Sequence, residues 1–239
     1  QRAAMVQAKK EAARAHTLAV KLDGLPPGGI AAVLAGDAYT QGPRLFAQKC
    51  ASCHAYDGHN GQGRPLATPA SAADLAGFGS RQWLSEFLDP AHLVTPKYWG
   101  ETGFVKPSEG KKVSKMVTFV TEDVAGYSAD EKSHLEKVVW ALSAEAGLPA
   151  QAAVDARDAT LIAEGRRLLG EEGLACTDCH AWREETGGRP VLDGWGSRQW
   201  MIDFIHDPAH DRFYGSRNDR MPSYGVKGEL TPDQIGMIV

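Results

Sequence analysis

All four cysteines of this chain lie in two copies of one short pattern. The pattern reads Cys-x-x-Cys-His, and its copies are Cys50-Ala51-Ser52-Cys53-His54 and Cys176-Thr177-Asp178-Cys179-His180. In such a pattern the two thiols add to the vinyl groups of a haem, and the adjacent histidine binds the iron. Cysteines three residues apart lie on one face of a helical turn, so both sulfurs reach the same edge of the macrocycle. The pattern predicts two covalently bound haem c groups; the alternative is a redox-active or zinc-binding Cys-x-x-Cys followed by an accidental histidine.

The sequence also repeats itself outside these two motifs. Gly-Ser-Arg-Gln-Trp occurs at Gly79–Trp83 and again at Gly196–Trp200, and each copy is followed by Asp-Pro-Ala-His, ending at His92 and at His210. The first copy carries longer loops, mainly around residues 100–115. The duplication predicts that each haem motif belongs to a unit of its own and that the two units share one architecture.

Local sequence patterns favour an all-α fold for both units. Ser80 and Ser197 precede apolar residues at helical spacing and are candidate N-caps. Ser128-x-x-Glu131 reads as a capping box before a third apolar stretch. Strand signals are weak, and residues 117–120 are the best candidate. We therefore expect a small helical bundle around each covalent haem.

The predicted domain organisation has four parts. Residues 1–36 form a basic, Ala-rich helix and a Gly/Pro lead-in, and residues 37–147 form the first haem unit. Residues 148–156 read as a linker, and residues 157–239 form the second unit, whose last helix begins at Thr231 and is cut short. A net charge of -4 gives no electrostatic footprint for nucleic acid. No run of about 18 apolar residues is present that would span a membrane as a helix.

A haem iron bound by one histidine has a second axial position. A methionine at that position gives a low-spin site with a raised reduction potential, which suits electron transfer. Met221 lies in a Met-Pro loop of the second unit, and Met116 aligns with it in the first. Met201 and Met237 compete with Met221 but fall at core-like positions of predicted helices. We therefore expect Met116 to be the axial ligand in the first unit and Met221 to be the axial ligand in the second.

Histidines offer an alternative sixth ligand. His59 and His134 are candidates in the first unit, whereas His92 and His210 share the Asp-Pro-Ala-His context of both units. Paired use of the last two would give two bis-histidine haems. The other interpretation is that both lie at a helix end and make a structural hydrogen bond.

Further residues that recur in both copies are candidates for contacting a haem edge. An arginine guanidinium can pair bidentately with a haem propionate, and an exposed arginine is an equally good interpretation. A tryptophan on the apolar face of a helix would pack in the core against the haem, with its indole N–H reaching a propionate. These candidates are Arg64, Arg81, Arg189, Arg198, Trp83 and Trp200.

The order of these elements resembles tandem class I cytochrome c domains. Gly42-x-x-x-Phe46 precedes the first haem motif, and a proline loop, a tryptophan helix, a methionine loop and a closing helix follow, so that the resemblance covers about residues 38–239. In that family the backbone carbonyl of the loop proline accepts a hydrogen bond from the axial imidazole and fixes the ring. The resemblance implies this role for Pro65 in the first unit and for Pro190 in the second.

A narrower resemblance concerns the lead-in. Gly24-Leu25-Pro26-Pro27-Gly28-Gly29, together with the two repeated elements, is similar to the di-haem C-terminal part of fused cytochrome b/c subunits of bacterial quinol:cytochrome c reductases. In that family a membrane-embedded cytochrome b part precedes the haem units, which lie on the periplasmic face of the cytoplasmic membrane. The resemblance implies a Rieske protein or the cytochrome b part as electron donor, and a soluble cytochrome or an oxidase as acceptor. It also implies that the chain is a fragment, associated with the membrane through an upstream segment.

These observations predict a di-haem electron-transfer module with no acid–base or nucleophilic chemistry of its own. A di-haem peroxidase-like enzyme is one alternative, motivated by the weaker methionine motif at Met116. A free-standing periplasmic di-haem shuttle is another. A signal peptide encoded directly upstream of Gln1 would distinguish the shuttle from a reductase subunit.

Overall fold

The computed structural model describes residues 2–21, 26–170, 173–183, 188 and 190–239. Within these ranges the chain is mostly helical and has no β-strand, which confirms the all-α class. Residues 117–120, the best strand candidate, lie instead in a short α-helix and in the π-helical turn that follows it. Val117 and Val120 are three residues apart, so a helix places both in the core, where each is at most 4% exposed.

The α-helices of the described part follow one another with short connections. They are α1 (Arg2–Lys21), α2 (Gly29–Ala35), α3 (Ala38–Lys49), α4 (Arg81–Phe87), α5 (Pro90–Leu93), α6 (Lys115–Thr118), α7 (Ala129–Ala146), α8 (Ala152–Arg157), α9 (Ala159–Leu168), α10 (Arg198–His206) and α11 (Pro232–Ile238). Single 3₁₀ turns lie at Val124–Gly126, Pro149–Gln151, Cys176–Asp178 and Gly215–Arg217. None of the helices in the described part is long and apolar enough to cross a membrane.

Side-chain caps explain where the main helices begin. Ser80 and Ser197 each accept a hydrogen bond from the backbone N–H three residues later, at the starts of α4 and α10. The capping box predicted at Ser128 and Glu131 is present at the start of α7. A second capping box begins α11 at Thr231. The sequence predicted all of these helix starts because a cap is a hydrogen bond between residues that are close in sequence.

The segment interpreted as a linker, residues 148–156, is folded. It forms a 3₁₀ turn and most of α8. The Gln151 side chain accepts the backbone N–H of Arg81 and donates to the Ser143 hydroxyl, at 3.0 and 2.8 Å. This segment therefore holds the start of α4 against the end of α7, through partners that are distant in sequence.

Helix α1 is joined to the start of the first repeat by an ion pair. Arg14 Nη2 lies 2.7 Å from Asp37 Oδ1, and Asp37 also caps α3 by accepting the backbone N–H of Thr40. The hydrogen bond from the guanidinium lowers the pKa of the Asp37 carboxyl. Residues 22–25 of the lead-in lie outside the described residues.

The helices that open and close the two repeats pair across the repeats. The opening helices, which precede the haem motifs, are α3 and α9, and the closing helices are α7 and α11. Helix α3 packs on α11 and α9 packs on α7, and within the described residues neither opening helix makes a comparable contact with its own closing helix. A glycine gives room at each crossing, because a Cβ at Gly42 would meet the carbonyl oxygen of Met237, and a Cβ at Gly165 would meet that of Lys137. The closing helices are thus exchanged between the repeats.

The two chain segments cross where the exchange begins. The backbone N–H of Gly103 donates to Asp219 Oδ2 at 3.0 Å, so the end of the first repeat's tryptophan region meets the start of the second repeat's methionine loop. The repeats at 37–147 and 157–239 are consequently intertwined and do not pack as two separate bundles. The apolar pattern of a closing helix fits either opening helix, so the repeat boundaries in sequence did not reveal this exchange.

Equivalent residues of the two repeats meet near an approximate two-fold axis. The rings of Phe78 and Trp195, which are 117 residues apart in sequence as are the two repeat tryptophans, lie 4.8 Å apart between centroids. A Cβ at Gly196 would lie 3.6 Å from the Cα of its equivalent, Gly79. Contact between equivalent positions is the geometry of a two-fold interface. The exchange is therefore nearly symmetric.

Candidate haem sites

The two Cys-x-x-Cys-His motifs fold into the same turn. In the first motif the backbone N–H groups of Cys53 and His54 donate to the carbonyl oxygen of Cys50, at 3.0 and 2.8 Å. In the second motif the corresponding N–H groups donate to the carbonyl oxygen of Cys176, at 3.2 and 2.9 Å. Each turn gathers two thiols and one imidazole within five residues, as the sequence pattern predicts.

The thiols of the two turns share one environment. All four cysteines are free; Cys50 and Cys176 are half-buried, and Cys53 and Cys179 are exposed. Burial raises the pKa of both the Cys50 and the Cys176 thiol to about 11. A redox-active Cys-x-x-Cys instead depends on a lowered pKa that gives a reactive thiolate. In the described part of the chain, no group of three or more histidine, cysteine and acidic side chains is placed to bind a free metal ion such as zinc.

Both motif histidines are oriented through Nδ1. His54 Nδ1 lies 2.7 Å from the carbonyl oxygen of Ala73, and His180 Nδ1 lies 2.9 Å from that of Pro190. A carbonyl oxygen only accepts, so Nδ1 carries the hydrogen and Nε2 of the neutral ring carries the lone pair. Burial lowers the pKa of both imidazoles, which favours the neutral, metal-binding form. Each ring is thus held with Nε2 available as a ligand.

The carbonyl partner was predicted correctly in the second repeat and wrongly in the first. Pro190 accepts from His180 as expected, but the partner of His54 is Ala73, and Pro65 is exposed. Ala73 and Pro190 lie seven residues before Ser80 and Ser197, so these two positions are equivalent. Matching Gly-Arg-Pro in the two copies suggested Pro65, but the longer loop of the first copy moves that tripeptide away. Counting back from the N-cap serines would have identified Ala73.

The two repeat tryptophans are core residues with different polar partners. Trp83 and Trp200 are 5% and 3% exposed. The Trp83 indole N–H donates to the carbonyl oxygen of Asp74 at 3.0 Å, so it is used within the protein. The indole N–H of Trp200 is buried and has no hydrogen-bond partner among the described residues. A buried donor of this kind calls for an acceptor that the described residues do not provide.

The repeat arginines are used within the protein. Arg81 donates to Asp155 Oδ1 at 2.6 Å and to Asp158 Oδ2 at 2.7 Å, and its guanidinium lies 4.7 Å from the Trp140 ring centroid. Arg198 Nη2 donates to the carbonyl oxygen of Gly236 at 2.6 Å. The predicted pairing of Arg81 and Arg198 with haem propionates is therefore not supported, because both guanidinium groups hold helices together.

The other two arginine candidates are Arg64 and Arg189. Arg64 is exposed, and Arg189 lies outside the described residues. The turn before Arg64 is held by the side chains of His59 and Asn60, which accept the backbone N–H groups of Gly61 and Arg64.

Met221 lies beside the turn of the first motif, Cys50–His54, which is the first haem turn; the second haem turn is Cys176–His180. It packs against a cluster of Ile205, Tyr224, Leu230 and Ile235, which Leu45 of α3 also joins. The Tyr224 hydroxyl donates to the carbonyl oxygen of Lys49, one residue before the first haem cysteine, at 2.6 Å. Burial raises the pKa of Tyr224 to about 12, and the nearby Cys50 and Cys53 thiols act in the same direction.

Met116 lies in the apolar core at the start of α6. It is in the first turn of α6, where the Ser114 side chain accepts its backbone N–H, and it is partly buried in a large cluster that also contains Cys176. Tyr127 belongs to the same cluster; burial raises its pKa to about 12, and the nearby Cys176 acts in the same direction. Met116 thus shares its cluster with a cysteine of the other repeat's motif.

The alternative histidine ligands have structural roles. His92 is about half exposed and lies 3.0 Å from the carboxylate of Asp89 at the start of α5. His210 Nδ1 accepts the backbone N–H of Arg212, and His59 Nδ1 accepts that of Gly61. These contacts favour the helix-end and loop interpretation over paired bis-histidine haems.

The remaining candidate ligands lie on helices. His134 lies on α7, and Met201 and Met237 lie on α10 and α11.

Comparisons with protein-family models, with curated proteins and with solved structures found no match for this chain.

Proposed function

We propose that this chain is a di-haem c-type cytochrome that relays single electrons. The observation that carries the proposal is the duplicated turn, in which two thiols precede an imidazole whose Nδ1 is held by a backbone carbonyl. The sequence pattern alone supports attachment, but the identical orientation of His54 and His180 supports a ligand role for both rings. A hydrogen bond at Nδ1 fixes the tautomer and raises the basicity of Nε2 towards a metal.

The residues around both turns fit a covalent haem. The thiols of Cys50, Cys53, Cys176 and Cys179 are free to form thioether bonds. The buried N–H of Trp200 fits a propionate oxygen as its missing acceptor. A methionine near each turn fits the second axial position, which gives low-spin iron with a raised potential. The raised pKa of the first thiol in each motif speaks against a redox-active dithiol.

The bound haems would supply the one-electron chemistry, and the protein would tune and position them. Ala73 and Pro190 orient the imidazoles. The apolar clusters around Met116 and Met221 would lower the local dielectric and keep water from a bound haem. The fold that we propose is a variant of tandem class I cytochrome c domains in which the closing helices are exchanged.

The cellular setting that we propose follows the resemblance to fused cytochrome b/c subunits. The chain would lie on the periplasmic face of the cytoplasmic membrane as part of a quinol:cytochrome c reductase. It would accept electrons from a Rieske or cytochrome b partner and pass them to a soluble cytochrome or an oxidase. No contact in the described residues favours a second candidate function over this one.

Haem content tests the proposal directly. The chain is produced with a c-type haem attachment system, and haem and protein are quantified on the purified sample. We expect two covalent haems per chain, and one in each of the matched variants Cys50→Ala/Cys53→Ala and Cys176→Ala/Cys179→Ala. Both haems should be low-spin in the ferric state. A parent protein with one haem or none contradicts the proposal, and a high-spin iron that binds cyanide rapidly supports a peroxidase-like enzyme instead.

A further inference from the structure

We propose that each haem iron takes its axial histidine and its axial methionine from different repeats, so that His54 is paired with Met221 and His180 with Met116. This inference rests on the proposed function, since it assumes that both haems are bound. A tandem arrangement with one haem per repeat would pair His54 with Met116 and His180 with Met221.

The first argument is the position of the residues that flank Met221. On one side, Arg220 Nη2 donates to the carbonyl oxygen of Ser71, two residues before the carbonyl that orients His54, at 3.1 Å. On the other side, the Tyr224 hydroxyl donates to the carbonyl oxygen of Lys49 at 2.6 Å. The methionine loop of the second repeat is thus bonded to the residue before the first haem motif and to the loop that orients His54.

Second, helix α11, which follows Met221, also lies against the first repeat. Helix α11 packs on α3, which leads directly into the first haem turn. The approach is so close at Gly42 that a side chain there would overlap the carbonyl of Met237. Lys49 Nζ also lies 3.5 Å from Glu229 Oε2. The methionine loop and the closing helix of the second repeat therefore enclose the first turn together.

The third argument is the matching arrangement at the second turn. Helix α7, which follows Met116, packs on α9, which leads into the second turn. Lys137 Nζ lies 2.7 Å from Glu164 Oε1, and Arg166 Nη2 lies 3.0 Å from Glu145 Oε1, so ion pairs hold the two helices side by side. Glu145 also accepts the backbone N–H of Gly194, four residues after the carbonyl that orients His180.

The histidine side of each site stays within its own repeat. The backbone N–H of Asp74 donates to the carbonyl oxygen of Lys97, and the N–H of Val191 donates to that of Arg212. The segments change partner only afterwards, where Gly103 meets Asp219. The exchange therefore falls between the histidine side and the methionine side of each site, which is what crossed ligation requires.

Single-haem variants test the pairing. Cys50→Ser/Cys53→Ser retains only the haem on His180, and Cys176→Ser/Cys179→Ser retains only the haem on His54. Met116→Leu and Met221→Leu are added to each, with Met201→Leu as a control of similar volume. The readouts are the iron spin state, the red absorption band of ferric iron bound to methionine sulfur, and the midpoint potential.

Crossed ligation predicts that with the haem on His180, only Met116→Leu abolishes the band and gives high-spin iron. With the haem on His54, only Met221→Leu should do so. The opposite pattern overturns this inference and leaves the proposed function intact, whereas a parent protein without covalent haem overturns both.

A measurement on the unaltered di-haem protein covers the case in which a single-haem variant fails to fold. In the reduced, diamagnetic protein, the axial methyl group of Met221 is identified by its loss in Met221→Leu. A nuclear Overhauser effect from this methyl to the haem whose thioethers are on Cys50 and Cys53 supports crossed ligation. An effect to the haem on Cys176 and Cys179 overturns it.

Discussion

The two haem turns have one backbone geometry but differ in how the surrounding loop is held. In the first repeat the Asp74 carboxylate accepts the backbone N–H groups of Asp57, Gly58 and Ala76, and its own carbonyl accepts the indole N–H of Trp83. In the second repeat Val191 occupies the position equivalent to Asp74, and the carboxylate of Asp193, two positions later, accepts the backbone N–H of Arg183.

The same contrast extends to the buried indole groups. The N–H of Trp200 is left without a partner among the described residues, whereas that of Trp83 is bonded. Among the described residues, the first repeat thus bonds the indole N–H of its repeat tryptophan within the protein, and the second does not. Equivalent residues of a duplicated sequence can therefore differ in their polar partners.

The largest effect that we expect is on the free energy of unfolding, and it differs between the two helix crossings. Gly165→Ala should destabilise the protein by about 3 kcal/mol, because the new Cβ would overlap the carbonyl of Lys137 in the middle of the 18-residue α7. Gly42→Ala should cost only about 1 kcal/mol, because its new Cβ would overlap the carbonyl of Met237 less than a Cβ at Gly165 overlaps that of Lys137. Denaturant unfolding followed through haem absorbance measures both. Alanine is the better helix former, so a stabilising Gly165→Ala would show that the helices do not approach as described.

Substitutions of the two repeat tryptophans should affect different properties: protein stability for Trp83 and a haem midpoint potential for Trp200. Trp83→Phe leaves the Asp74 carbonyl without its indole donor and should lower the free energy of unfolding by about 1–3 kcal/mol. Trp200→Phe should instead lower the midpoint potential of one haem, since a propionate that loses its hydrogen-bond donor stabilises ferric iron. Thermal unfolding and a potentiometric titration of both variants separate these outcomes. Equal potential shifts in the two variants would remove the contrast between the loops.

The smallest expected effect concerns acid stability. Hydrogen bonds from Lys97, Gln82 and Tyr98 lower the pKa of Glu86 from its ordinary 4.5 to about 2. The folded pKa is depressed, so the stabilisation is present above about pH 4.5 and is lost as the pH falls towards 2. Glu86→Gln should therefore cost about 1 kcal/mol at neutral pH, a modest figure because the Lys97 side chain is half exposed.

The matched control is the equivalent residue in the second repeat. Asp203 lies 3.9 Å from Arg212, and both side chains are 40% exposed, so Asp203→Asn should change stability by less. Unfolding curves between pH 2 and neutral pH would show the parent and Glu86→Gln converging in acid. Parallel curves across this range would mean that Glu86 is not held as described.

Local chemistry was readable from the sequence, and the choice of partner was not. The caps at Ser80, Ser197 and Ser128 and the turn of each haem motif depend on residues within a few positions, so their patterns predicted them. The partner of His54 was missed because a tripeptide match was preferred to the register set by Ser80.

The exchange of the closing helices was missed for a different reason. Helices α7 and α11 each present an apolar face and a site for a close glycine contact, and both opening helices offer such a glycine. A sequence pattern specifies that a face will be buried but not which of two similar surfaces will bury it. The sequence likewise did not show that residues 148–156 are folded, because Gln151 contacts Arg81 and Ser143, which no local pattern connects to it.

The hydrogen bond between Tyr224 and Lys49 joins residues 175 positions apart. A ribosome makes the first Cys-x-x-Cys-His motif well before the loop whose Tyr224 hydroxyl is bonded beside it. The first turn therefore stays uncovered while these intervening residues are made, whereas α7, which packs on α9, already exists when α9 appears. Contacts of such long separation form late in folding. In the exchanged topology, the motif cysteines at Cys50 and Cys53 are thus made before those at Cys176 and Cys179 but are covered later relative to their own synthesis.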